Sequence, residues 1–180
     1  AVLSSSTEKA NPAEMLQPWP GGRVPYTFAS GFTTAQKATV TESMKYWQDA
    51  TAGLITFVPR SSEAHYIVIK KDQAGCWTHV GWYYEISSYP LNLGSGCFSH
   101  DVIVHELGHV LGLEHEHSRY DRDSYVKINW CNIKEDYRFA FQKRGETDPV
   151  GRYDYDSMMH YKATDFSANG QATIATKTST

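Results

Sequence analysis

Long apolar runs are missing from this 180-residue chain. No stretch approaches the roughly 20 residues that a membrane-spanning helix requires, so no span is expected. An excess of basic residues is missing too: 17 Lys and Arg face 20 Asp and Glu, a formal net charge of −3. Phosphate recognition draws on clustered positive charge, so no nucleic-acid partner is expected. Cysteine is scarce. Cys76, Cys97 and Cys131 are too few to build a disulfide scaffold, and an odd count leaves one thiol over. The first residues, AVLSSSTEKANPAEM, lack the basic and apolar blocks of a signal peptide, so any such segment is expected to be gone already. Internal repeats, low-complexity tracts and a carboxylate-rich calcium loop are also lacking.

What is present suits a globular domain, single or built of two lobes, with a core of its own: 41% of residues are hydrophobic and 21% charged. The 12 Tyr and 5 Trp either fill that core or line a peptide-binding cleft. Residues 1 to 22 are polar and rich in Pro and Gly, and read as an irregular lead-in. VPYTFA (24–29), LITFV (54–58) and HYIVIK (65–70) read as strands. Thr33 followed by Gln36 forms a capping box for a helix to about Ala50, with Gly53 as its stop. Residues 75 to 97 suggest one short strand with long loops. Cys76 and Cys97 both lie in Gly-rich loops there, whereas Cys131, in the apolar INWCNI, reads as a buried thiol. A second helix covers about Asp101 to Leu111. Beyond Gly112 the chain turns polar and irregular, with one further helix expected in IKEDYRFAFQKR (133–144).

The second helix carries HELGHVLGLEH, residues 105 to 115. A helix advances about 100° per residue, which puts His105 and His109 on one face, a turn apart and able to reach one metal ion. Glu106 points to a water on that metal rather than to the metal, the arrangement of two ligands and a general base. On a continuous helix His115 would lie roughly 15 Å from His105 along the axis. It joins the site only if the chain breaks, and Gly112 is placed to break it. Three neutral imidazoles leave the metal its full charge and an open position, which suits catalysis rather than a structural site.

The pattern H-E-x-x-H-x-x-G-x-x-H with a later SMMHY (157–161) is a metzincin signature with its Met-turn. HEHSRYDRD (115–123), GGRVPYTF (21–28), FVPR (57–60), GCWTHVG (75–81) and YVKIN (125–129) extend the resemblance to the astacin family of zinc endopeptidases, from about Trp19 to Tyr161. The resemblance implies an α+β, metzincin-like catalytic domain of two lobes: a twisted sheet plus two helices over residues 19–112, an irregular lobe over 113–180, and a zinc cleft between them. It implies one Zn2+ per chain held by His105, His109 and His115, with Glu106 as general base. Tyr161 is similar to the family tyrosine that can bind the zinc as a fifth ligand and swing away to stabilise the transition state. Met159 corresponds to the Met-turn floor, Glu116 to the anchor of the mature amino terminus, and Cys76–Cys97 to one of the family's two disulfides. The other disulfide has no early partner, since ATAGLITF lacks cysteine. The family pattern also starts about nine residues later and continues past the end of this chain, so residues 1 to 9 are expected to be a propeptide remnant, an extension or the true start.

These readings imply a secreted monomeric endopeptidase acting on protein or peptide substrates, with a propeptide as a further partner. The alternative is a catalytically silent relative that binds peptide in the same cleft. Plainer readings stand beside the residues: Tyr161 as a buried tyrosine, Trp77 as either cleft wall or core, Arg119 to Asp123 as internal ion pairs or a solvated run. His65, His79, His100, His117 and His160 fall outside the ligand spacing.

Overall fold

The computed structural model describes residues 18–144 and 151–177. The amino-terminal residues 1 to 9, and with them the anchoring role expected of Glu116, lie outside the described residues. The chain forms two compact units that meet in sequence between Leu113 and Glu114.

The first unit begins with a 3-10 turn at Pro20–Gly22, followed by β1 (Arg23–Phe28) and α1 (Thr34–Ala50). Thr33 starts α1 as expected: its Oγ1 accepts from the Gln36 amide at 3.2 Å, and Gln36 Oε1 accepts from the Thr33 amide at 3.1 Å. Gly53, at φ 79°, supplies the left-handed residue that ends the turn after it. β2 (Thr56–Pro59), β3 (Tyr66–Lys70), β4 (Cys76–Thr78) and β5 (Ser88–Leu93) follow, then α2 (His100–Val110). The five strands make one mixed sheet in the order β2-β1-β3-β5-β4. Only β4 runs antiparallel, paired along β5 from Cys76–Leu93 to Thr78–Leu91. The α+β expectation is borne out.

β5 corrects the reading of residues 75 to 97 as one short strand. SYPLNL contains Pro90, and an internal proline argues against a strand because it cannot donate to a ladder. Pro90 is tolerated because β4 pairs only with residues 91 to 93, leaving that edge of Pro90 without a ladder to support. Burial explains the rest: Tyr89, Leu91 and Leu93 are at most 1% exposed. They pack with Ile67, Ile69, Val24, Val40 and Met44 into one core. Trp47 Nε1 donates to the Val104 carbonyl at 2.9 Å, tying α1 to α2. Cys76 and Cys97 form the disulfide that the resemblance implied.

The second unit is built of short 3-10 segments and a two-stranded antiparallel sheet of β6 (Val126–Ile128) and β7 (Ile174–Thr176). The helix expected over 133–144 is a 3-10 helix, Glu135–Phe141. Tighter winding, at three residues per turn, here brings Ala140 and Phe141 inward while Phe139 stays 42% exposed. Cys131 is free and exposed, not the buried thiol expected. It sits in the 3-10 turn Trp130–Asn132, where the flanking Ile128 and Ile133 take the buried positions and the turn between them faces out. Arg122 is 4% exposed; its Nη1 donates to the carbonyls of His117 (3.0 Å) and Phe141 (2.7 Å). The charge run is thus partly internal. Trp77 is half-buried on β4, with the Lys70 ammonium 5.4 Å from its ring centre.

Candidate metal centre

Along α2 the apolar positions Ile103, Val104, Leu107 and Val110 are buried, which fixes the helix rotation and carries the polar residues between them to defined places. His105 and His109, one turn apart, have ring centroids 4.8 Å from each other. Glu106 is only 2% exposed. Burial pushes its carboxyl up to about 7, because desolvation penalises the charged form.

The helix then ends as the sequence requires. The Leu113 amide donates to the Gly108 carbonyl (3.0 Å) and the Gly112 amide to the His109 carbonyl (2.9 Å). Together they make a Schellman motif with Gly112 in the position that favours a left-handed backbone. Its φ is +98°, and a Cβ there would meet only Gly81 Cα at 3.8 Å. Conformation, not space, demands the glycine. Trp19 Nε1 caps the same helix end by donating to the Val110 carbonyl at 2.9 Å.

This turn returns the chain at once, and along the continuous stretch 105 to 115 ligand atoms of His105, His109 and His115 all lie within 4.8 Å of one another. Such a set fits a metal ion on two further counts. His109 Nδ1 lies 2.7 Å from the Leu113 carbonyl; a carbonyl only accepts, so Nδ1 bears the proton and Nε2 keeps its lone pair for a metal. In the same helix, Glu106 Oε2 is buried with no hydrogen-bond partner among the described residues, as suits an acid whose partner is a bound water.

In the second unit, the Glu116 amide donates to the Met159 carbonyl at 3.0 Å, so the residue after His115 is held to the turn that bears SMMHY. Met159 is 4% and Tyr161 8% exposed, and the Tyr161 and His115 ring centroids are 4.5 Å apart. Glu116 Oε1 accepts from Arg119 Nη1 and from the Asp154 amide, each at 2.9 Å. Arg119 in turn grips both carboxylate oxygens of Asp121 at 3.0 Å. The sequence reading missed His117, His160 and Tyr153. His117 is fully buried, with its ring centroid 4.0 Å from that of Tyr161. Nothing in sequence spacing signals these contacts, because they join separate turns.

A sequence profile for the Astacin peptidase family matches residues 11–180. Human Tolloid-like protein 1 is 40% identical over 154 residues, 83% of this chain. Zinc metalloproteinase nas-13 of Caenorhabditis elegans is 40% identical over 161 residues, 87% of this chain and 34% of that protein. The chain spans only 15% of the length of the Tolloid-like relative. Among solved structures, High choriolytic enzyme 1, a hatching enzyme zinc-protease from Oryzias latipes (Medaka fish), superposes with a TM-score of 0.79 at 31% identity, covering 96% of this chain and 86% of that one. A mixed sheet and a helix whose His105 and His109 are joined by His115 beyond its end define the class, a metallopeptidase fold. The chain belongs to the astacin family.

Proposed function

We propose that this chain is the catalytic domain of a secreted zinc endopeptidase that hydrolyses internal peptide bonds of proteins. The observation that carries this reading is the gathering of three imidazoles beside a buried acid with an unused carboxylate oxygen. His105, His109 and His115 would hold the zinc. When bound, zinc supplies a Lewis acid that makes water far more acidic and polarises a carbonyl. Glu106 takes the proton of the attacking water and delivers it to the leaving amine; its raised pKa suits both halves of that exchange. Tyr161, beside His115, donates a hydrogen bond as negative charge builds on the carbonyl oxygen. Family membership and the Cys76–Cys97 disulfide support an extracellular setting.

The test is cleavage of a protein substrate that stops with a chelator and returns with zinc. Glu106→Gln is expected to keep its zinc and to lose roughly 100-fold or more in turnover, the scale of general acid–base catalysis. Cleavage that survives chelation, or full activity in Glu106→Gln, would sink the mechanism. Peptide binding with no turnover in the zinc-loaded parent would favour a silent relative instead.

A further inference from the structure

The turn that bears Met159 and Tyr161 also bears His160, whose hydrogen bonds run in one direction. His160 Nδ1 is 2.6 Å from the main-chain oxygen of Tyr161. That oxygen only accepts, so Nδ1 carries the proton. Nε2 of the neutral ring then keeps a lone pair, and the Tyr153 hydroxyl, 2.6 Å away, donates to it. Tyr153 is well fixed: it is 7% exposed, its ring stacks on Tyr125 at 4.7 Å and 12°, and the Arg119 guanidinium lies 5.5 Å from its centre. Burial raises the Tyr153 phenol above its ordinary pKa, so the hydroxyl remains a donor at neutral pH.

The bond from His160 Nδ1 to the Tyr161 carbonyl closes a ring that spans φ and ψ of Tyr161. Those two angles set where the Tyr161 Cα–Cβ bond points. The Tyr161 ring also packs against His117, with centroids 4.0 Å apart, and His117 is held by its Nε2 donating to the Ala140 carbonyl at 3.1 Å. We propose that Tyr153 and His160 are positioning residues that aim Tyr161, through Tyr153 O–H to His160 Nε2 and His160 Nδ1–H to the Tyr161 carbonyl. The inference rests on the role given to Tyr161 in the proposed hydrolysis.

Tyr153→Phe keeps the stacked ring and removes only the hydroxyl. In the zinc-loaded protein it is expected to lower kcat roughly three- to tenfold with little change in KM, the scale of one net hydrogen bond. In a Tyr161→Phe background it should cost nothing further in kcat, while any drop in melting temperature should be the same in both backgrounds. Imidazole 15N shifts, assigned with His160→Gln, should show the Nδ1–H tautomer of His160. That is the minor tautomer of a free histidine side chain, so the geometry must enforce it. A kcat loss of equal size in both backgrounds, no loss in the parent, or a His160 protonated on Nε2 overturns the inference. If Tyr161→Phe alone turns over like the parent, the role of Tyr161 falls, and the inference with it. A normal loss in Tyr161→Phe with an additive loss from Tyr153→Phe overturns the inference alone.

Discussion

At the scale of single residues, the site depends on one backbone angle and one proton. Gly112 sits at φ +98° with room for a methyl group. Gly112→Ala is therefore expected to destabilise by about 1–2 kcal/mol through conformation alone. Because the strain lies between His109 and His115, zinc affinity should fall in the same variant. A thermal melt and a zinc titration check both; an unchanged affinity would show that the return of the chain does not depend on Gly112. The proton is that on His109 Nδ1, given to the Leu113 carbonyl. The HELGHVLGLEH spacing made the clustering of the three histidines and the break legible. The tautomer of His109 was not, because the bond that sets it exists only once the chain has turned. His117, His160 and Tyr153 were illegible for the same reason: their partners are carbonyls and rings from other turns.

At the scale of elements, short-range chemistry explains what the sequence reveals and what it hides. The Thr33–Gln36 capping box is local, so it can be read directly and is present. Thr33→Ala is expected to cost about 0.5–2 kcal/mol, measured by denaturant unfolding. The disulfide closes a separation of 21 residues, and its replacement by two serines should cost roughly 3 kcal/mol by loop entropy. A cost near zero would mean that β4 and its loops are held by packing alone. In the second unit, Arg119 holds the Asp121 carboxylate and lowers its pKa below the usual carboxylate value. A depressed folded pKa contributes stability that is complete above the unfolded value, near 3.9, and disappears as pH falls through the folded value. Asp121→Asn should therefore lower the melting temperature by a constant amount at pH 5 to 7, and the gap to the parent should narrow below about pH 4. A gap that widens on acidification would reverse the sign and refute the pairing. β5 and the Glu135–Phe141 segment are the elements misread. Pro90 hid a strand that the buried sheet tolerates, and a helix-like pattern settled into 3-10 winding.

At the scale of the whole molecule, a metal that binds the folded chain and not the unfolded one stabilises it by mass action. Zinc removal is accordingly expected to lower the melting temperature as well as to stop cleavage, and calorimetry with and without chelator checks this. The sequence by itself determined the class of chemistry: residue types at offsets of four and six along HELGHVLGLEH leave few alternatives to a three-histidine metal site. It also determined that β1 to β3 are strands and that both α-helices form, because β-branched runs, caps and glycine stops act within a few residues of themselves; the parallel pairing of those strands came only with the fold. Only the tertiary structure decided the interior place of β5, the pairing of β6 with β7, the exposure of Cys131 and the setting of Tyr161. These depend on groups brought together from distant parts of the chain, where no spacing along the sequence records the contact.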